Sequence, residues 1–165
     1  MEIASFLHWL QASKLAVAIN SSAYLFPLIE SLHVIAMTGV FGTILLVDLR
    51  LLGLASKCVP FTSLASDVLR WNWSAFALAV ITGSLLFITN ADGYFRNFYF
   101  RMKMLSIVLA GINAAVFQLT AKRSVGVWDT EDSAPNIGKT VAICSLTIWI
   151  IVIFCGRWIG FTTQL

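Results

Sequence analysis

The chain has 165 residues, of which 59% are hydrophobic and only 12% charged, with a mean hydropathy of +0.86. A soluble domain carries about 25% charged residues, so lipid must solvate much of this chain, as a single membrane domain with no room for a second globular one. The formal net charge of +3 is scattered rather than clustered, which excludes a nucleic-acid footprint.

Residues 3–19 read as an amphipathic surface helix. Ile3, Phe6, Leu7 and Leu10 recur at helical spacing beside Trp9, while Glu2, Gln11, Ser13 and Lys14 break any continuous apolar run. The first residues lack a basic segment ahead of an apolar one, so no cleavable signal peptide is expected. Asn20-Ser21-Ser22 ends the segment. The first span is expected over 24–47, with Pro27 near its start, where a missing N–H costs little. Residues 51–70 read as a loop or interfacial stretch. The second span, 71–89, opens on Trp71 and Trp73, which suit the headgroup boundary. Asn90-Ala91-Asp92-Gly93 signals a turn, followed by an aromatic cluster from Tyr94 to Phe100. The third span covers 102–121 and the fourth 140–160, separated by the hydrophilic stretch 124–138. Each is near the roughly 20 residues that cross about 30 Å of hydrocarbon. The expected fold is therefore all-α, a four-helix membrane bundle with an interfacial N-terminal helix.

Lys and Arg set the orientation. One side holds Arg50, Lys57, Arg70, Lys122, Arg123 and Lys139; the other holds Lys14, Arg96, Arg101, Lys103 and Arg157. Lys103 and Arg157 lie at or inside span ends, and discounting them places both termini on the outer, periplasmic side of an inner membrane. The three cysteines, Cys58, Cys144 and Cys155, are odd in number and two lie in an apolar span, which argues against a disulfide framework.

An ionisable residue inside a span costs about 2.5–3.5 kcal/mol on insertion scales, so each is a functional candidate. Glu30, His33, Met37, Phe41, Ile44 and Asp48 share one stripe of the first span. With the topology above, Glu30, His33, Lys103 and Arg157 fall in the same half of the bilayer, with Arg101 and Asn97 just above. Glu30 is expected to pair with Lys103 or Arg157. Two readings of this cluster stand side by side. One is a structural ion-pair network that fixes helix packing. The other is a haem b site, with His33 as axial ligand and Arg101, Lys103 or Arg157 meeting the propionates; a second axial histidine would have to be His8 or come from a second protomer. Glu30-Ser31-Leu32-His33 matches half of a di-iron bundle motif but lacks its partner motif, and His33 with Met37 offers copper only two ligands.

Asp48 and Arg50 close the first span, where Arg50 is expected to snorkel and Asp48 to pair with it or with Lys57. Asn113 is placed to hydrogen-bond between helices, and Gly156 and Gly160 form a small-residue spacing suited to close helix contact. No nucleophile sits beside a base, no phosphate loop occurs and no Cys-x-x-Cys is present, so a stand-alone enzyme is not indicated.

The run from Tyr24 through Pro27, Glu30 and His33, continuing to Asp48, Arg50 and Gly53, resembles a family of small bacterial inner-membrane proteins of unknown function. So do Asn97 to Lys103, with Asn113, and Gly156 to Gly160. The resemblance implies a four-span protein whose motif positions are Glu30, His33, Asp48, Arg50, Lys103 and Arg157, and it implies no activity. The layout is also distantly similar to copper-resistance membrane proteins and small b-type cytochromes, an analogy of fold level. Three functions remain open: a haem-binding or electron-transfer membrane subunit, a structural or accessory subunit of a homo-oligomer or larger membrane complex, and a small proton- or ion-conducting protein.

Overall fold

The computed structural model describes residues 2–55, 61–120 and 136–162. Among them are seven helices and no strand: α1 (Glu2–Gln11), α2 (Lys14–Ser21), α3 (Leu25–Leu51), α4 (Phe61–Thr89), α5 (Ala91–Arg96), α6 (Phe98–Leu119) and α7 (Asn136–Thr162). Four of these, α3, α4, α6 and α7, contain stretches long and apolar enough to cross a membrane. Their exposed surfaces carry large apolar side chains, among them Val34, Ile35, Ile81, Val108, Ile112 and Ile150, as lipid-facing helices require.

The helices differ from the sequence expectation mainly at their ends. The N-terminal segment is two helices rather than one, because Ser13 takes an extended backbone and its hydroxyl accepts from the Ala16 amide at 3.2 Å, starting α2 afresh. Leu7 is buried, while Ile3, Phe6 and Trp9 are exposed, the face expected at a bilayer surface. α3 runs past Asp48 and Arg50 to Leu51, so both lie inside the helix. It stops at Gly53, whose φ of 73° suits only glycine comfortably, and the Gly53 and Leu54 amides donate back to Arg50 and Leu49 carbonyls at 3.1 and 2.9 Å. α4 begins ten residues ahead of Trp71, so 61–70 is helix rather than loop, and 136–138 likewise belong to α7. Cys58, Lys57 and the stretch 121–135 lie outside the described residues.

α3 packs along α4, and α6 along α7, as two hairpin-like pairs. A smaller α3–α7 contact joins the pairs, with Val40, Trp149 and Val152 buried where they meet. α4 and α6 scarcely touch. One end of the bundle, here the upper end, is closed by α1, α2 and α5. Gln11 donates to Asn90 Oδ1 at 3.3 Å and Asn20 to the Thr89 carbonyl at 3.0 Å, pinning the N-terminal helices to the α4–α5 turn. Asn97 caps α6, accepting from the Tyr99 and Phe100 amides at 2.9 and 3.2 Å, and donates to Thr162 Oγ1 at 2.8 Å, which ties the start of α6 to the end of α7.

Candidate functional site

Two chambers lie between the helix pairs, where α4 and α6 stand apart. The upper one holds about 500 Å³ and the lower about 360 Å³. Phe76 of α4, Ile107 of α6 and Trp149 of α7 line both, and form an apolar waist between them.

His33 faces the upper chamber, about 12 Å below the start of α3 at 1.5 Å per residue. Its Nδ1 lies 3.0 Å from Thr82 Oγ1. With the Thr82 hydroxyl donating to the Leu78 carbonyl at 2.7 Å, the contact fits the tautomer that carries its proton on Nδ1, and that tautomer has its lone pair on Nε2. Gly83 makes room for the ring: a Cβ there would stand 3.0 Å from His33 Cε1. Thr82 and Gly83 escaped the sequence reading. The signal was present in the run Ile81-Thr82-Gly83-Ser84, three small or polar residues inside a span, at the depth that an antiparallel α3–α4 pair brings level with His33.

Lys103, in the second turn of α6, lines the same chamber. Its stem runs along Gly156, whose missing side chain leaves Nζ 3.5 Å from where a Cβ would be. Gly156 thus accommodates Lys103, and Gly160, with nothing within 4 Å of its own Cβ position, does not complete a close helix contact. Lys103 has no carboxylate within ion-pair distance among the described residues, where the ion pair present is Arg96–Asp92 at 3.0 Å. Aromatic side chains supply much of the remaining wall: Phe87 stacks on Phe100 with centroids 5.4 Å apart and on Tyr94 at 6.4 Å.

The structure divides the expected cluster. His33 and Lys103 share the chamber; Glu30, Arg101 and Arg157 are exposed and do not line it. Glu30 pairs with neither Lys103 nor Arg157 and is exposed near the start of α3. Arg157 instead sits over the Phe161 ring, 5.1 Å from its centroid. His8 is exposed on α1 and does not line the chamber, so it offers no second ligand there. Met37 lines the chamber from the same helix as His33, and Met104 faces it from α6. No group of three or more His, Cys, Asp and Glu side chains able to hold a metal occurs among the described residues. Cys144 and Cys155 are free thiols.

The lower chamber is lined by Asp48, Asn72, Asn113 and Ser145, and Arg50 lies outside it. Asp48 is 5% exposed and Arg50 1%, so Arg50 does not snorkel, and no ion pair joins the two; positions two apart face different sides of a helix. Ser145 of α7 lines the same chamber as Asp48. Thr43 Oγ1 lies within hydrogen-bond distance of the Asn72 side-chain amide, at 2.9 Å, joining α3 to α4. Asn113 donates to the Val141 carbonyl at 3.1 Å, the bond between helices that its position suggested.

Over residues 6–162 the chain matches a family of unknown function (DUF6644), and it belongs to that family. No curated protein and no solved structure matches it.

Proposed function

We propose that this member of a family of unknown function is a membrane-embedded haem b protein that serves electron transfer, with the haem in the upper chamber. His33 Nε2 would hold the iron and Lys103 would meet a propionate. The observation that carries this reading is that a histidine lone pair and a lysine without an ion partner among the described residues face one aromatic-walled space of about 500 Å³. A ligating histidine characteristically donates its other ring nitrogen to a fixed acceptor, which holds its tautomer and orientation; Thr82 does this for His33. A flat, apolar, anion-bearing group suits the stacked rings of Phe87, Tyr94 and Phe100, and its negative charge answers Lys103. When bound, haem supplies one-electron redox chemistry whose potential follows from ligand identity and burial. The residues themselves hold the ligand, orient it, and keep water from its apolar face. The upper end faces the periplasm of a bacterial inner membrane, as the Lys and Arg distribution indicates.

The competing readings find less support. A structural ion-pair network finds no pair between Glu30 and Lys103 or Arg157 among the described residues. A transmembrane proton path is interrupted by the waist of Phe76, Ile107 and Trp149, which has no titratable side chain. The test is a visible spectrum of the detergent-purified chain, produced with haem supplied. A Soret band, lost in His33→Ala while helicity by circular dichroism is retained, is expected. A colourless, folded protein that stays colourless when titrated with haemin overturns the reading, and elemental analysis for iron and copper separates haem from a bare metal.

A further inference from the structure

Two carboxamides line the lower chamber from opposite sides of the gap between α4 and α6. Asn72 on α4 stands about 26 Å below Thr89, and Asn113 on α6 about 23 Å below Phe98, at 1.5 Å per residue, so the two are nearly level. Each commits only one end to the bundle. The Val141 carbonyl only accepts, so Asn113 meets it through Nδ2 and keeps Oδ1 as an acceptor. Asn72 meets Thr43 Oγ1 through one amide atom, at 2.9 Å. The other amide atom on each wall has no hydrogen-bond partner among the described residues, yet neither is sealed off by protein as Asp48 Oδ2 is. A polar atom left unpaired in an apolar setting costs about 1–3 kcal/mol.

The chamber, about 360 Å³, far exceeds the roughly 30 Å³ share of one water, and Trp73, Phe76, Phe117 and Trp149 present rings among its walls. A lipid acyl chain would suit those rings and leave both amides unpaired. A charged headgroup would find no Lys, Arg or His among the described lining residues. A phenolic hydroxyl meets the demands of both walls. It donates to Asn113 Oδ1 and, being donor and acceptor at once, pairs with Asn72 whichever amide atom that residue presents. A flat ring with two such hydroxyls offers one to each wall and stacks on the aromatic side chains.

We infer that the lower chamber binds a lipid-soluble hydroquinone, its hydroxyls paired with Asn72 and Asn113 and its apolar tail leaving between α4 and α6 into the hydrocarbon. Exposed Trp71 and Trp73 set this depth near the lower headgroup boundary, where the polar ring of such a molecule settles. Gly111 of α6, with nothing within 4 Å of its Cβ position, leaves that wall open. The site needs no haem, because the two chambers share only the apolar waist.

The test uses the full chain in lipid nanodiscs and anaerobic equilibrium dialysis of 2-decylhydroquinone and of its quinone, which keeps the ring and tail and lacks the O–H groups. Binding is counted above that to empty nanodiscs. The hydroquinone is expected to bind saturably and about tenfold more tightly than the quinone, since the quinone leaves Asn113 Oδ1 unpaired. Asn113→Leu should remove most of that preference. Gly111→Leu, which fills the chamber where a Cβ meets no atom, should weaken both ligands. His33→Ala should leave hydroquinone binding unchanged, and Asn113→Leu should leave any Soret band unchanged, so each reading fails by itself. Quinone binding equal to or tighter than that of the hydroquinone, absence of saturable hydroquinone binding, or a preference that survives Asn113→Leu overturns the inference. The comparison of the two ligands on the unaltered chain needs no variant to fold.

Discussion

Gly83→Ala isolates the placement of the His33 ring from the stability of the bundle. The added Cβ would lie 3.0 Å from His33 Cε1, where ordinary contact begins at 3.4 Å, so the ring must give way by about 0.4 Å (3.4 less 3.0). Overpacking of a closed core costs about 1–3 kcal/mol. Here the ring borders the upper chamber and can yield into it, which puts the cost near the lower figure, about 1 kcal/mol. Replacing glycine by alanine inside a helix returns about 0.5–1 kcal/mol. The two effects nearly cancel, and the unfolding free energy should change by less than about 1 kcal/mol. Ligation has no such compensation: the ring leaves its 3.0 Å contact with Thr82, and displacing an orienting contact of this kind costs 10–100-fold in affinity for a ligated metal, by the usual range of about that size. Haemin titration of detergent-purified protein, followed at the Soret band, measures the second quantity, and denaturant unfolding measures the first. A haem affinity equal to that of the parent would refute the reasoning, since His33 would then not need the position the glycine permits.

Lys103→Met separates a ligand-binding lysine from a structural one. Breaking a buried ion pair costs about 3–5 kcal/mol, whereas removing a cation that has no partner leaves the fold as stable or more so; thermal melts should show a midpoint at or above the parent's, with weaker haem binding. Asn113→Leu removes the α6–α7 bond to Val141 and should destabilise by about 0.6 kcal/mol, the average for such bonds in membranes, as read by unfolding from mixed micelles. Tyr94, on α5, titrates above its ordinary 10.0 because burial disfavours the phenolate and, second, because Glu30 repels it. The native state therefore holds this proton to higher pH than the unfolded chain does, so the stability it contributes is complete below 10 and is lost as pH rises further. Ultraviolet phenolate titration should show one late tyrosine that moves to lower pH in Glu30→Gln.

The four spanning helices were legible because each depends on a property local to its own residues: enough consecutive apolar side chains to cover the hydrocarbon thickness. Helix ends were less legible, since apolar content does not stop where a helix stops. α3 continues through Asp48 and Arg50 because its end is set by the backbone of Gly53, and α4 starts early because a helix can begin before its hydrocarbon-length segment does. For the site, burial cost alone selected His33 and Lys103, and both line the upper chamber. The same argument selected Glu30 and Arg157, which are exposed. Those two lie near helix ends, where a turn of the helix decides between chamber and surface, and a one-dimensional count of depth cannot see that rotation. Thr82 and Gly83 were invisible to a search for charges, although they fix the tautomer and the place of the ring.

The two chambers also bear on why the charges are there at all. In a bundle held by packing, replacing Lys103 by an apolar residue of similar volume would remove a desolvation penalty and sacrifice no ion pair among the described residues. Asp48 is likewise buried, and its Oδ2 has no hydrogen-bond partner among the described residues. Contrast Asn113 and Asn97, whose amide nitrogens join helices. Polar groups that cement the bundle are satisfied inside it, whereas Lys103 has no ion partner among the described residues. Lys103 lines the upper chamber and Asp48 the lower one. The apolar waist of Phe76, Ile107 and Trp149 keeps them from neutralising each other, since His33 and Asp48 are fifteen residues apart on α3, about 22 Å along its axis. A direct pairing of Lys103 with Asp48 is therefore outside the reach of their side chains.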